Sequence, residues 1–196
     1  MRKTILSLIT STALIAIVFV ACQDSAATEK PKSIAMTNEE KVQRGSYLVN
    51  TMGCDDCHSP KRMGPDGPEL IPELRLSGYP ADKPFNKIDT NVVKNGWALM
   101  DFDLTTAVGP WGQSFAANLT PDSTGTGTWK EEQFIKAIRE GKYKGLDNTR
   151  PILPPMPWAA YQHMTDDDLK SIFAYLKSLK PVNNTVPAPR PFNKLN

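Results

Sequence analysis

Cys54-Asp55-Asp56-Cys57-His58 sets two thiols at i and i+3, about one helical turn apart, with an imidazole on the next residue. Thiols so spaced can each add across a vinyl group on one porphyrin edge, and Cys-x-x-Cys-His is the attachment signature of a c-type haem. His58 then comes beneath the iron as the proximal ligand, neutral at physiological pH. Zinc is the competing reading. A closed zinc site wants four ligands, yet the chain has only Cys22 and His163 besides these three, so carboxylates would have to complete it. A thioredoxin-like redox motif would need a βαβ setting, and none is legible around it.

Working outward, residues 1–21 begin with Arg2 and Lys3, continue as an apolar run from Ile5 to Val20 and end on Ala21, the pattern of an export signal. A retained membrane anchor is the alternative, although Ser7, Thr10, Ser11 and Thr12 interrupt the run. Phe19-Val20-Ala21-Cys22 resembles a bacterial lipobox, in which cleavage precedes a cysteine that is then acylated; Phe19 departs from the usual aliphatic residue. Three cysteines thus divide into one lipid site, Cys22, and two thioether sites, Cys54 and Cys57, with no disulfide left to form. Haem is attached covalently outside the cytoplasm in bacteria, so signal and haem motif point to one compartment: exported, membrane-anchored on the periplasmic side. Without Arg2 and Lys3 the 23 basic residues become 21, against 21 acidic ones, and this near-neutral balance argues for no nucleic-acid partner.

Residues 22–36 are polar and small and read as a flexible tether. Thr37-Asn38-Glu39-Glu40 is a capping box that opens a helix running to about Met52, where Gly53 ends it before the haem motif. Thr128-Trp129-Lys130-Glu131 reads as a second box, followed by Phe134, Ile135, Ala137 and Ile138 at helical spacing and stopped by Gly141. Thr165 caps a last helix whose apolar face is Leu169, Ile172, Phe173, Leu176 and Leu179, ended by Pro181. Between Ser59 and Pro121, Gly-Pro pairs predict little regular structure, save for a short hairpin within 91–103 as an alternative. Trp97, Leu99, Met100, Phe102, Leu104, Val108, Trp111 and Phe115 are the apolar residues available to pack around a porphyrin or beneath an extra lobe.

The segment Arg150-Pro151-Ile152-Leu153-Pro154-Pro155-Met156-Pro157-Trp158 is too proline-rich for a helix and makes a stiff loop. Such a loop suits Met156 to presenting its thioether as the sixth iron ligand, with Met100 and His163 as rivals. Trp129 is either a core aromatic or an indole donor to a haem propionate.

These residues resemble the class I cytochromes c, and more closely the monohaem domains found as lipoproteins or as units of cytochrome subunits in bacterial dehydrogenases. The likeness runs from Thr37 to Pro189 and rests on Cys54 to His58, Asn118-Leu119-Thr120-Pro121-Asp122 with Thr124-Gly125 and Trp129, Pro155-Met156-Pro157-Trp158, and Asp168-Leu169 with Ala174-Tyr175-Leu176. It implies an all-α fold over residues 37–181, three to five helices around one covalent haem c, with a long loop-rich insertion and a proline-rich tail at 182–196. It also implies that the first and last helices cross, Gly45 and Tyr47 meeting the face near Phe173 and Leu176. A proline carbonyl after the motif, Pro68 or else that of Gly64-Pro65, would accept the imidazole N–H. The function implied is one-electron transfer between a redox protein donor and acceptor, tethered to the membrane by lipid, with no small-molecule substrate at the iron. The alternatives are a haem subunit of a dehydrogenase complex and a gas- or peroxide-binding haem with a labile sixth ligand.

Overall fold

Residues 35–195 are described by the computed structural model; the leader and Cys22 lie outside the described residues. In chain order they form α1 (Asn38–Thr51), α2 (Cys54–His58), β1 (Lys61–Gly64), β2 (Gly67–Leu70), α3 (Thr90–Lys94), β3 (Leu99–Met100), β4 (Thr106–Gly109), β5 (Gly112–Phe115), α4 (Glu131–Glu140), α5 (Trp158–Tyr161) and α6 (Asp166–Ser178), with short 3₁₀ turns between.

The all-α expectation is overturned. Helix accounts for 37% and strand for 13%, the strands lying in two small antiparallel sheets, β1-β2 and β3-β4-β5. The physical reason lies in the Gly-Pro pairs. Gly64-Pro65-Asp66-Gly67 and Gly109-Pro110-Trp111-Gly112 are hairpin tips in which the flanking glycines pair across the strands, Gly64 with Gly67 and Gly109 with Gly112. Proline's fixed φ suits the first turn position, and Gly112, at φ 96°, takes a conformation costly for other residues. A hairpin does form near the expected stretch, but it joins β3 to β4, while Thr90 to Lys94 is helical.

Helix starts follow side-chain chemistry where caps are complete. Thr37 Oγ1 accepts from the Glu40 amide at 3.2 Å and the Glu40 carboxylate accepts from the Thr37 amide at 2.7 Å, the full capping box. Thr165 likewise accepts from the Asp168 amide at 3.1 Å. The box expected at Thr128 does not form: α4 starts two residues later than such a box requires, after Lys130, without a side-chain cap. Bonds from the Gly127 amide to the Asp122 carbonyl and from the Trp129 amide to the Thr126 carbonyl occupy the chain there in a turn.

Two apolar clusters result. The larger joins Leu48 and Val49 of α1, Leu76, Phe134 and Ile138 of α4, and Leu169, Ile172, Phe173, Tyr175 and Leu176 of α6. The crossing of α1 and α6 is as expected, but Gly45 meets Ser171 and Tyr175, where a Cβ would collide with the Ser171 carbonyl. Tyr47, about 200° further round the helix, is exposed. The smaller cluster, Ile88, Val93, Val108 and Leu195 with Leu99 and Phe192, is an extra lobe built on α3 and the three-stranded sheet, apart from the larger cluster. Of the apolar payload, Leu99 and Val108 pack in this lobe, whereas Trp97 and Phe102 are 68% and 51% exposed. The C-terminal segment joins it through Arg190, whose amide and carbonyl pair with Gln113 of β5 at 3.0 and 2.8 Å.

Candidate haem-binding site

α2 is only five residues long and has no side-chain cap, so its conformation is imposed by what surrounds it. Gly53, at φ 72°, turns the chain out of α1 and into it. Lys61 Nζ caps its far end, donating to the Asp56 carbonyl at 2.7 Å, the Ser59 carbonyl at 3.1 Å and the Asp103 carbonyl of the lobe at 2.9 Å. Cys54 and Cys57 are free, half-buried thiols, and Cys54 packs against the larger cluster. Burial, reinforced by the Asp55 charge, pushes the Cys54 thiol up to about 11, and burial followed by Asp56 raises that of Cys57. Among the described residues no group of three His, Cys, Asp or Glu could hold a bare metal ion.

His58 Nδ1 lies 2.8 Å from the Ala117 carbonyl. A carbonyl only accepts, so Nδ1 carries the proton and Nε2 keeps its lone pair for iron. Burial lowers the imidazole pKa, opposed by the Ala117 hydrogen bond, which favours the neutral ring an iron ligand must be. The acceptor is thus Ala117, not the expected Pro68, which sits in β2 opposite Met63; Gly64-Pro65 is at the tip of the same hairpin. Gly78 makes this approach possible. Its amide donates to the His58 carbonyl at 2.8 Å, and a side chain at that residue would strike the backbone of Ala116 and Ala117.

Met156 is half-buried and packs against the same cluster as Cys54, Leu119, Trp129 and Tyr161. Its loop is braced at both ends. The Ile152 amide donates to the Gly141 carbonyl at 2.7 Å, Ser114 Oγ donates to the Pro154 carbonyl at 2.6 Å, and the Trp158 amide donates to the Met156 carbonyl at 2.9 Å. Of the rivals, Met100 faces outward from β3, 44% exposed, and His163 is exposed beside Gln162. The structure therefore brings Cys54, Trp129 and Met156 to one core and leaves Met100 on the lobe. The Trp129 indole N–H has no partner among the described residues, which leaves it able to donate to a bound group.

The sequence reading missed Ala117, Arg75 and Tyr161. Tyr161, whose hydroxyl donates to the Met52 carbonyl at 2.9 Å, has its pKa raised by burial and then by Cys54 and Cys57, a mark of its closeness to both thiols. Spacing from Met156 and Trp158 was the one available signal for it. Asn118, quoted above for the resemblance, is a structural hub: its carbonyl oxygen accepts from the Thr120 amide at 2.9 Å and its amide donates to the Val182 carbonyl at 2.9 Å.

The cytochrome c family model matches residues 42–180, the span that holds the thiol pair, the fixed imidazole and the Met156 loop. The chain belongs to the cytochrome c family. Covalent haem c is the cofactor this family implies, and free thiols one turn apart, an imidazole with Nε2 unengaged and a thioether over the same core fit it. This cytochrome c is 27% identical over 185 residues to the fructose dehydrogenase cytochrome subunit of Gluconobacter japonicus, covering 93% of the chain and 30% of that subunit. It is 28% identical over 176 residues to the gluconate 2-dehydrogenase cytochrome c subunit of Pantoea cypripedii, 89% of the chain and 28% of the relative. Against the alcohol dehydrogenase (quinone) cytochrome c subunit of Gluconobacter oxydans (strain 621H) the figures are 33% over 149 residues, 74% and 25%. The chain therefore spans less than a third of the length of these relatives.

Proposed function

We propose that this cytochrome c is a one-electron carrier holding a single haem c, working outside the cytoplasmic membrane in a respiratory chain and tethered there by acyl chains on Cys22. The observation that carries the reading is that Cys54, four residues before a His58 whose ring is fixed by the Ala117 carbonyl, packs against the same apolar cluster as Met156 on its braced loop. Haem c supplies reversible one-electron iron chemistry when bound. Cys54 and Cys57 would hold it through thioethers and His58 Nε2 and Met156 Sδ would ligate its iron, so that no small-molecule substrate is expected there. A thioether ligand favours the reduced iron and raises the potential. Trp129 would donate to a propionate. The similarity to cytochrome subunits of fructose, gluconate and alcohol dehydrogenases supports a dehydrogenase as electron donor, to which this chain contributes a carrier and no catalytic residue. The signal at 1–21 and the lipobox at Cys22 support the location. No helix among the described residues is long and apolar enough to cross a membrane.

Spectroscopy tests this directly. The oxidised protein should show a near-infrared sulfur-to-iron band that disappears in Met156→Ala, and the reduced parent should bind carbon monoxide slowly. A band unchanged by the substitution, or fast carbon monoxide binding by the parent, rejects the ligand assignment.

A further inference from the structure

Asp55 lies between the two cysteines of α2, and its carboxylate is gripped from two sides. Arg75 approaches side-on, Nε donating to Oδ1 at 3.0 Å and Nη2 to Oδ2 at 2.7 Å, while Ser59 Oγ donates to Oδ1 at 2.6 Å. The same guanidinium donates through Nη1 to the Tyr175 hydroxyl of α6 at 2.6 Å and through Nη2 to Asn50 Oδ1 of α1 at 2.9 Å. One planar cation therefore ties the motif helix to both helices of the main crossing. The pair is largely withdrawn from water, the Arg75 and Asp55 side chains being 28% and 15% exposed. Next to it Leu76, fully buried, sits at φ 59° with its amide donating to Ser59 Oγ at 2.8 Å. A leucine in that conformation is strained and must be held by its surroundings.

We infer that Arg75 is a positioning residue of the redox centre: it fixes α2 through Asp55 and neutralises this carboxylate, one of the two set between the haem-attaching cysteines. The inference rests on the function proposed above. Two consequences follow from the charges. Without Arg75, the Asp55 carboxylate stands uncompensated beside the iron site, where a negative charge favours ferric over ferrous iron. Without Asp55, the unpaired cation favours ferrous iron. Packing alone would not give the two substitutions opposite signs.

The test is the reduction potential of the haem-loaded full chain in Arg75→Gln, Arg75→Lys, Asp55→Asn and the double variant Asp55→Asn/Arg75→Gln. At a fixed ambient potential the ferrous-to-ferric ratio should fall about threefold or more in Arg75→Gln and rise comparably in Asp55→Asn. The double variant should return close to the parent ratio, and Arg75→Lys should lie nearer the parent than Arg75→Gln. Shifts of the same sign in the two single variants, or no shift in either, overturn the inference. Should Arg75→Gln fail to accumulate as a haem protein, Asp55→Asn decides alone: a raised ratio supports the role, and an unchanged or lowered one overturns it. A parent chain without covalent haem on a denaturing gel would instead overturn the proposed function, and this inference with it.

Discussion

Lys83 Nζ lies 2.7 Å from Asp101 and 2.8 Å from Asp103, whose side chains are 5% and 3% exposed. Burial raises the pKa of Asp101, with the Asp103 charge adding to it. Burial also pushes Asp103 up, but hydrogen bonds from Lys83 and Thr105 outweigh this and leave it lowered. Two carboxylates at such depth depend on one ammonium. Lys83→Met should therefore cost about 3–5 kcal/mol, since breaking a buried ion pair leaves the two carboxylates at depth with only the neutral donors of Thr105 and Thr106. A denaturant titration in which the midpoint moves by less than that, at unchanged slope, would contradict it. Single residues were legible in the sequence when their chemistry is local: the thiols and imidazole of Cys54, Cys57 and His58 sit within five positions. Arg75 was not, because its meaning comes from Asn50, Asp55 and Tyr175, which only the fold collects around it.

Elements were legible on the same terms. The box at Thr37 and the cap at Thr165 are written in adjacent residues, and the apolar period of α6 named most of its buried face. The hairpins were obscured because Gly and Pro mark both breaks and turns, and the pairing that separates the two lies on the opposite strand. The turn after α4 adds an acid-sensitive element. Asp147 accepts from Lys136 Nζ at 2.7 Å and Lys142 Nζ at 2.9 Å; these hydrogen bonds, that of Lys136 foremost, lower its pKa to about 2. A carboxylate depressed on folding stabilises the folded state above its unfolded value and loses that contribution as pH falls through its folded one. The unfolding midpoints of the parent and Asp147→Asn should thus differ at pH 6 and converge between about pH 4 and pH 2. A constant gap across that range would mean that the pairs contribute nothing through charge.

At the scale of the whole molecule, the described residues hold two cores of different origin. The helical one follows from periodicity, and the sequence displayed it. The lobe depends on residues far apart in the chain, Ile88, Val93, Val108 and Leu195, and on β5 pairing with Arg190, so no local pattern announced it. Removing residues 190–196 should speed hydrogen exchange at the β4 and β5 amides and leave those of α1 and α6 unchanged. Equal acceleration in both regions would show one cooperative unit instead of two. The lobe also reaches His58, because the chain leaving β5 at Phe115 arrives two residues later at the Ala117 carbonyl that orients its ring. An acceptor supplied by the main chain has no identity to inherit. Position 117 is free to drift through almost any residue without losing the bond, whereas a single deletion between Phe115 and Ala117 would shift the carbonyl out of reach. Descent would then preserve a spacing where it preserves no letter.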